Sequence, residues 1–106
     1  MPPKPVQAGL VSGLTIDVQT SFAQALRDSS EIDTLIVSGG HGTTLALEDH
    51  QLLEYVRTAA QRARRTVSIC TGAMILAKAG LLDGKRVSTH WWWCPILEQR
   101  YPLATV

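Results

Sequence analysis

Two short, mostly apolar runs stand out along the chain, at 33–37 (DTLIV) and 66–70 (TVSIC). Runs of this kind are typical of strands buried on both faces of a parallel sheet. Between them, residues 47–65 carry apolar side chains at helical spacing, which predicts an amphipathic helix with one buried stripe. That stripe comprises Leu52, Leu53, Val56, Ala59, Ala60 and Ala63. Strand, helix and strand in this order predict a parallel pair joined by a helical crossover.

Weaker patterns precede this central unit. Residues 6–18 mix β-branched residues with glycines, which predicts short extended pieces that pair as a hairpin. Residues 21–28 predict a short helix with Ser21 as its N-cap. The proline-rich start, residues 1–5, predicts neither a helix nor a central strand, because proline lacks the N–H donor.

Three further elements are predicted after the second strand. Residues 71–82 have a helical pattern that is closed by Gly80, and residues 85–90 (KRVSTH) predict a third short strand. Residues 91–101 predict a helix, provided that Pro95 lies in its first turn. Strands and helices therefore alternate, which predicts an α/β fold with a parallel sheet and helices against its faces.

Composition and charge narrow the functional classes. The chain has 106 residues, 45% hydrophobic and 18% charged, as expected for one globular domain. A net charge of +1 argues against direct binding to a nucleic acid, and no apolar run has the length of a membrane span. Cys70 and Cys94 form no CxxC or zinc pattern, and the start of the chain lacks the apolar segment of a signal peptide. Free thiols in a reducing cytoplasm are the expectation.

Cys70 lies where a predicted strand turns into a predicted helix, within SICTGA at 68–73. Ligands of open α/β sheets gather beyond the carboxyl ends of strands. The first helical N–H groups, at Thr71 and Gly72, favour a thiolate and can bind an oxyanion. Because Gly72 has no Cβ, it permits a tight turn, and the pattern parallels the nucleophile elbow of hydrolases with cysteine in place of serine. The alternative is that Cys70 is a small buried hydrophobe.

Two other strand ends converge on the same edge of the sheet. Gly39 and Gly40 follow the first apolar run, and one of their N–H groups would complete an anion hole if the two strands are neighbours. His90 ends the third predicted strand, where an imidazole acts as a base, polarises a ligand or only bonds the backbone. The candidate catalytic residues are Cys70 and His90, and the candidate ligand-binding residues are Gly39, Gly40, Thr71 and Gly72. No metal or cofactor is predicted.

The tryptophan run at 91–93 cannot share one face of a helix, because adjacent residues point about 100° apart. One or two of them are expected to pack on the sheet, and the remainder to line the pocket or lie at an interface. Packing in the core together with an interface role is favoured over stacking on a ligand. Cys94 is interpreted as a core thiol.

Three pieces of the sequence resemble the DJ-1/PfpI superfamily, which has the class I glutamine amidotransferase-like fold. They are IDTLIVSGG at 32–40, the long block at 62–93 that contains CTGAMILAKAGLLDGKRVSTHW, and RYP at 100–102. The resemblance is strongest to the amino-terminal domain of AraC-type transcriptional regulators, and the isocyanide-hydratase branch shares the CTGA, AGLLDG and THW segments. It covers about residues 8–106 and implies a flavodoxin-like three-layer α/β sandwich with a parallel sheet.

What the resemblance implies is a ligand-sensing or dimerising module of an AraC-type regulator. A small metabolite would lie over Cys70, between the Gly39-Gly40 loop and His90. The regulators bind DNA through a helix-turn-helix domain that is not visible in this chain. Residues 1–106 are therefore expected to form a single, partial domain of a longer protein, cytoplasmic and capable of forming a homodimer.

A second implication is a cysteine-dependent hydrolase or hydratase that resembles isocyanide hydratase. Cys70 would be the nucleophile, Thr71 and Gly40 would supply oxyanion donors, and His90 would serve as an auxiliary acid or base. The family's acidic partner of the thiol lies in a segment that this sequence does not match, which favours a non-catalytic role while leaving the enzyme question open. A third alternative is a scaffold that keeps the turn only for packing.

Overall fold

A computed structural model of the chain describes residues 6–9, 15–28 and 32–106. The proline-rich start at residues 1–5, for which the sequence predicts no regular element, lies outside these ranges. The described residues form an antiparallel hairpin, a two-stranded parallel sheet and five helices.

The amino-terminal part confirms the predicted hairpin and short helix. Strand β1 (Val6–Gly9) pairs antiparallel with β2 (Thr15–Val18). Helix α1 (Phe22–Arg27) follows, and the hydroxyl of Ser21 accepts a hydrogen bond from the Gln24 N–H at 3.1 Å. Ser21 is thus the N-cap that the sequence predicts, because its oxygen satisfies an N–H that has no partner inside the helix.

The centre of the fold is a parallel strand pair with a helical crossover, as predicted. Strand β3 (Thr34–Ser38) pairs with β4 (Arg65–Ile69), and helix α3 (His50–Arg62) connects them. The carboxylate of Asp49 caps α3, since it accepts from two N–H groups of the first turn at 3.1 Å each. The buried side chains of α3 belong to the predicted stripe: Leu53, Val56 and Ala59.

Helix α4 (Gly72–Lys78) is the most buried element, and it packs against both β3 and β4. A short helix α2 (Thr43–Ala46), which the sequence pattern does not predict, packs against it. A 3₁₀ turn at Trp91–Trp93 leads into helix α5 (Cys94–Arg100), with proline in its first turn as expected. The largest fully buried side chains are Met74 and Leu97.

The prediction of a third strand at 85–90 is wrong. The segment makes one isolated parallel bridge, between Arg86 and Thr105. The N–H of Val87 donates to the Thr105 carbonyl, and the Thr105 N–H donates to the Lys85 carbonyl, both at 2.8 Å. A strand requires a continuing ladder of such bonds. Among the described residues the pairing stops at this single bridge, so the β-branched pattern of the segment alone does not make a strand.

The expectation that residues 33–37 are buried on both faces is also wrong. Leu35 and Val37 are buried on the face that the helices cover. On the opposite face, Ile36 keeps 57% of its surface exposed and Ile69 keeps 54%. Side chains alternate along a strand, so one face of the parallel pair is covered and the other is open among the described residues.

An ion pair joins the starts of the two parallel strands and has a predictable pH dependence. The Asp33 carboxylate accepts hydrogen bonds from the Arg64 guanidinium, at 2.5 and 3.0 Å, and from the Thr34 hydroxyl at 2.7 Å. The guanidinium first, and the hydroxyl second, lower the pKa of Asp33 from its usual value of 3.8. Stability from this pair is therefore present above pH 3.8 and is lost as the pH falls through the lowered pKa of the folded state.

We expect the Asp33 carboxyl carbon, followed by NMR, to titrate with a midpoint below 3.8 in the folded chain. In the variant Arg64→Gln the midpoint should return toward 3.8. Arg62→Gln is the matched control, because that guanidinium bonds the Leu26 carbonyl and does not bond Asp33. A midpoint that Arg64→Gln leaves unchanged would contradict this account. Both partners are exposed, so the effect on overall stability is small.

Candidate functional site

Cys70 follows the last residue of β4, and its side chain is exposed. Its backbone has a φ of +54°, which makes it the one non-glycine residue of the described chain in the left-handed region. That conformation disfavours residues with a Cβ by roughly 1 kcal/mol. The turn places the thiol at the carboxyl end of the strand and in solvent, so the alternative of a buried core thiol does not describe Cys70.

Two glycines bring the ends of β3 and β4 into contact. A Cβ added to Gly39 would collide with the Thr71 hydroxyl oxygen and would lie 2.6 Å from the Thr71 backbone nitrogen. A Cβ added to Gly72 would overlap the Val37 carbonyl oxygen. The loop after β3 and the turn after β4 therefore approach each other more closely than larger residues permit, which matches the expectation that the two strand ends converge.

Three polar groups connect the loop after β3 with α2 and with the turn at Cys70. The Gly40 N–H donates to the Thr71 hydroxyl oxygen at 3.0 Å. The hydroxyls of Thr71 and Thr43 lie 2.9 Å apart, and both residues are buried. The bond with Thr71 occupies the Gly40 N–H, so an anion over Cys70 would meet that donor only if Thr71 released it.

The residue before His90, Thr89, is hydrogen-bonded to the turn at Cys70. The Thr89 hydroxyl donates to the Cys70 carbonyl at 2.8 Å. The imidazole itself stacks on Trp91, with ring centres 5.6 Å apart, and its Nδ1 accepts from the Trp92 N–H at 3.3 Å. His90 thus caps the 3₁₀ turn with Nδ1, and no hydrogen bond of the described residues joins the imidazole to the Cys70 thiol.

Of the tryptophan run and Cys94, only Trp93 lines a cavity, which the sequence does not indicate. Trp91 and Trp92 are exposed, whereas Trp93 is half-buried and faces this cavity. Cys94 is half-buried beside the Thr89 carbonyl, its sulfur 3.7 Å away. We call the space the threonine cavity; it measures about 160 Å³ and is lined by Thr43, Thr44, Leu47, Thr71, Met74, Trp93 and Arg100.

A second, larger groove of about 410 Å³ lies along β4, beside Thr66, Ser68 and Val87. Neither Cys70 nor His90 lines it.

The described residues contain no group of three or more histidine, cysteine or acidic side chains arranged to hold a metal ion. In the same part of the chain, no helix has the length and apolar character that crossing a membrane requires.

Comparisons with known proteins establish the family. Residues 5–100 match the DJ-1/PfpI family, and the chain belongs to it. It is 41% identical over 80 residues to an isonitrile hydratase from Pseudomonas putida. The aligned residues make up 76% of this chain and 33% of that protein. It is also 34% identical over 89 residues to the HTH-type transcriptional regulator GbdR from Pseudomonas aeruginosa. That alignment covers 84% of this chain and 22% of the regulator.

A solved structure agrees with the fold. The chain superposes on a ThiJ/PfpI family protein from Pseudomonas syringae with a TM-score of 0.77 and 28% identity, covering 97% of this chain and 40% of that protein. The α/β class, with a parallel sheet and flanking helices, is confirmed. The chain thus spans a third or less of the two curated relatives described and two fifths of the structural one.

Proposed function

We propose that this chain is the ligand-sensing DJ-1/PfpI domain of a cytoplasmic AraC-type transcriptional regulator. In this proposal a small molecule lies over Cys70, beside the Gly39-Gly40 loop and His90. The observation that carries it is the exposed Cys70 thiol, held in a left-handed conformation where the ends of β3 and β4 meet. Strained backbone of this kind is found at functional sites, and parallel sheets bind ligands at this edge. The similarity to GbdR supports the regulatory role.

The polar surroundings of Cys70 favour binding over turnover. A cysteine nucleophile needs a group that accepts its proton. Among residues 15–28 and 32–106, no carboxylate is hydrogen-bonded to the Cys70 sulfur, and the Nδ1 of His90 already accepts from the Trp92 N–H. In this proposal the thiol contacts a ligand, and the bond to the Trp92 N–H leaves the Nδ1 of His90 unavailable as the acceptor of its proton.

The second candidate is a hydratase, favoured by the similarity to the Pseudomonas putida isonitrile hydratase. Addition of water to an isonitrile, R–NC, gives the formamide R–NH–CHO. Cys70 would attack the isonitrile carbon, the Thr71 N–H would support the developing charge, and His90 would transfer protons. We also propose that the protein forms a homodimer, whichever of the two functions it has.

Incubation with an organic isonitrile separates the two candidates. We expect the purified chain to form no more formamide than its Cys70→Ser variant. At the same time, iodoacetamide should alkylate Cys70 faster than the half-buried Cys94, because the first thiol is exposed. Formamide production that depends on Cys70 would contradict the sensing proposal and support the hydratase.

The regulatory role has its own test. Mass spectrometry of the intact polypeptide that an antibody to this chain recovers from cells should find peptides of a helix-turn-helix domain. A polypeptide without a DNA-binding segment would contradict the regulator.

A further inference from the structure

The threonine cavity has the electrostatic character of a site for a single anion. Arg100 is its one charged lining residue, and no carboxylate lines it. Within the described part of the chain, Arg100 makes no ion pair, whereas Arg64 and Arg65 both lie against Asp33. A guanidinium without a protein carboxylate, at the wall of a cavity, is available to an external anion, and its planar fork matches a carboxylate with two parallel hydrogen bonds.

The buried hydroxyls of Thr43 and Thr71 supply neutral polar groups in the same lining. Thr71 accepts from the Gly40 N–H, so it can pass its own hydrogen to Thr43, 2.9 Å away. The Thr43 hydrogen is then free for an acceptor in the cavity, and Thr44 adds a second hydroxyl to the lining. The resulting chain of bonds points in one direction, and each member polarises the next.

The remaining walls are apolar and limit the size of the ligand. Leu47, Met74 and Trp93 face the cavity. Its volume of about 160 Å³ is comparable to that of a cavity that accommodates a benzene molecule, which has six heavy atoms. The occupant that fits these walls has one anionic end and a short apolar body.

We propose that the threonine cavity binds a small monocarboxylate of about six heavy atoms. Its carboxylate pairs with Arg100 and accepts from the Thr43 hydroxyl, and its alkyl part packs on Leu47, Met74 and Trp93. The regulatory meaning of this site rests on the proposed sensing function, because Thr71 joins the cavity wall to the turn at Cys70. Binding itself does not depend on that function.

Titration of the full chain with sodium butyrate, followed by ¹H–¹⁵N NMR, tests the proposal. We expect binding on the order of millimolar, with the largest shifts at the Thr43 and Thr44 amides and the Trp93 indole. Butyramide, which has the same shape without the charge, should bind at least about tenfold more weakly. Inorganic phosphate should not displace butyrate, since it lacks an apolar body.

Two pairs of variants distinguish a loss of the binding groups from a general effect on the fold. Arg100→Gln should weaken butyrate binding at least about tenfold, while Arg62→Gln, which also removes a cation from the last turn of a helix, should leave it unchanged. Thr43→Ser, which keeps the hydroxyl, should retain binding better than Thr43→Val. Equal binding of butyrate and butyramide, or full affinity in Arg100→Gln, would overturn the proposal.

Cys70→Ser distinguishes this inference from the proposed function. It should bind butyrate with the affinity of the unmodified chain, because Cys70 does not line the cavity. If butyrate fails to bind while another metabolite protects Cys70 from alkylation, the carboxylate site is wrong and the sensing proposal stands. If butyrate binds as expected while formamide forms at Cys70, the sensing proposal is wrong and the carboxylate site stands.

Discussion

Replacement of Gly72 by alanine is expected to lower the free energy of unfolding by about 3 kcal/mol or more. The added methyl group would overlap the carbonyl oxygen of Val37, which belongs to β3 and cannot move without breaking its pairing with β4. Backbone atoms yield less readily than the end of a flexible side chain, so the strain falls on the sheet itself. Urea denaturation followed by circular dichroism measures the effect.

Gly42→Ala is the matched control for this substitution. No heavy atom lies within 4 Å of the position that a Cβ on Gly42 would occupy, and its φ of −79° suits any residue. Its unfolding free energy should stay within about 1 kcal/mol of the original. If the two variants were equally stable, the close contact between the Cys70 turn and β3 would not exist as described.

Replacement of Leu97 by alanine is expected to lower the free energy of unfolding by about 2–5 kcal/mol. Leu97 has 0% of its surface exposed and is the one fully enclosed residue of α5, so its removal leaves a void and loses apolar burial. Since α5 also carries Arg100, the loss would loosen one wall of the threonine cavity.

Leu103→Ala removes the same atoms from a side chain that is 67% exposed. It should change the unfolding free energy by no more than about 0.5 kcal/mol. Thermal unfolding of the two variants side by side gives the comparison. Equal destabilisation would mean that α5 is not anchored in the core through Leu97.

The central unit could be predicted from the sequence because its signals are local. The apolar run of β3, the periodic stripe of α3 and the β-branched run of β4 each identify an element by its own spacing. Helix α2 has only four residues, too few to show a helical period. The segment at 85–90 carries a strand-like pattern, but strand formation depends on a partner, and only Thr105 provides one in the described chain.

The candidate site likewise has one part that the sequence predicts and one part that it does not. Cys70, Thr71 and the Gly39-Gly40 pair could be placed together because they follow parallel strands that end at one edge. The threonine cavity could not be predicted, since Thr43, Met74 and Arg100 come from three helices that are distant in sequence. No spacing or motif connects them. Their meeting depends on how α2, α4 and α5 pack, which only the three-dimensional arrangement reveals.

The hydroxyl pair of Thr43 and Thr71 has a consequence for communication across this small domain. Each hydroxyl carries a single hydrogen, so an acceptor that takes the one from Thr43 orients the whole chain of bonds back to the Gly40 N–H. That orientation would strengthen the bond that Thr71 accepts from the Gly40 N–H, and it requires no displacement of the backbone. A change in hydrogen-bond direction, with no movement of a helix, would then couple an occupant of the threonine cavity to the turn at Cys70.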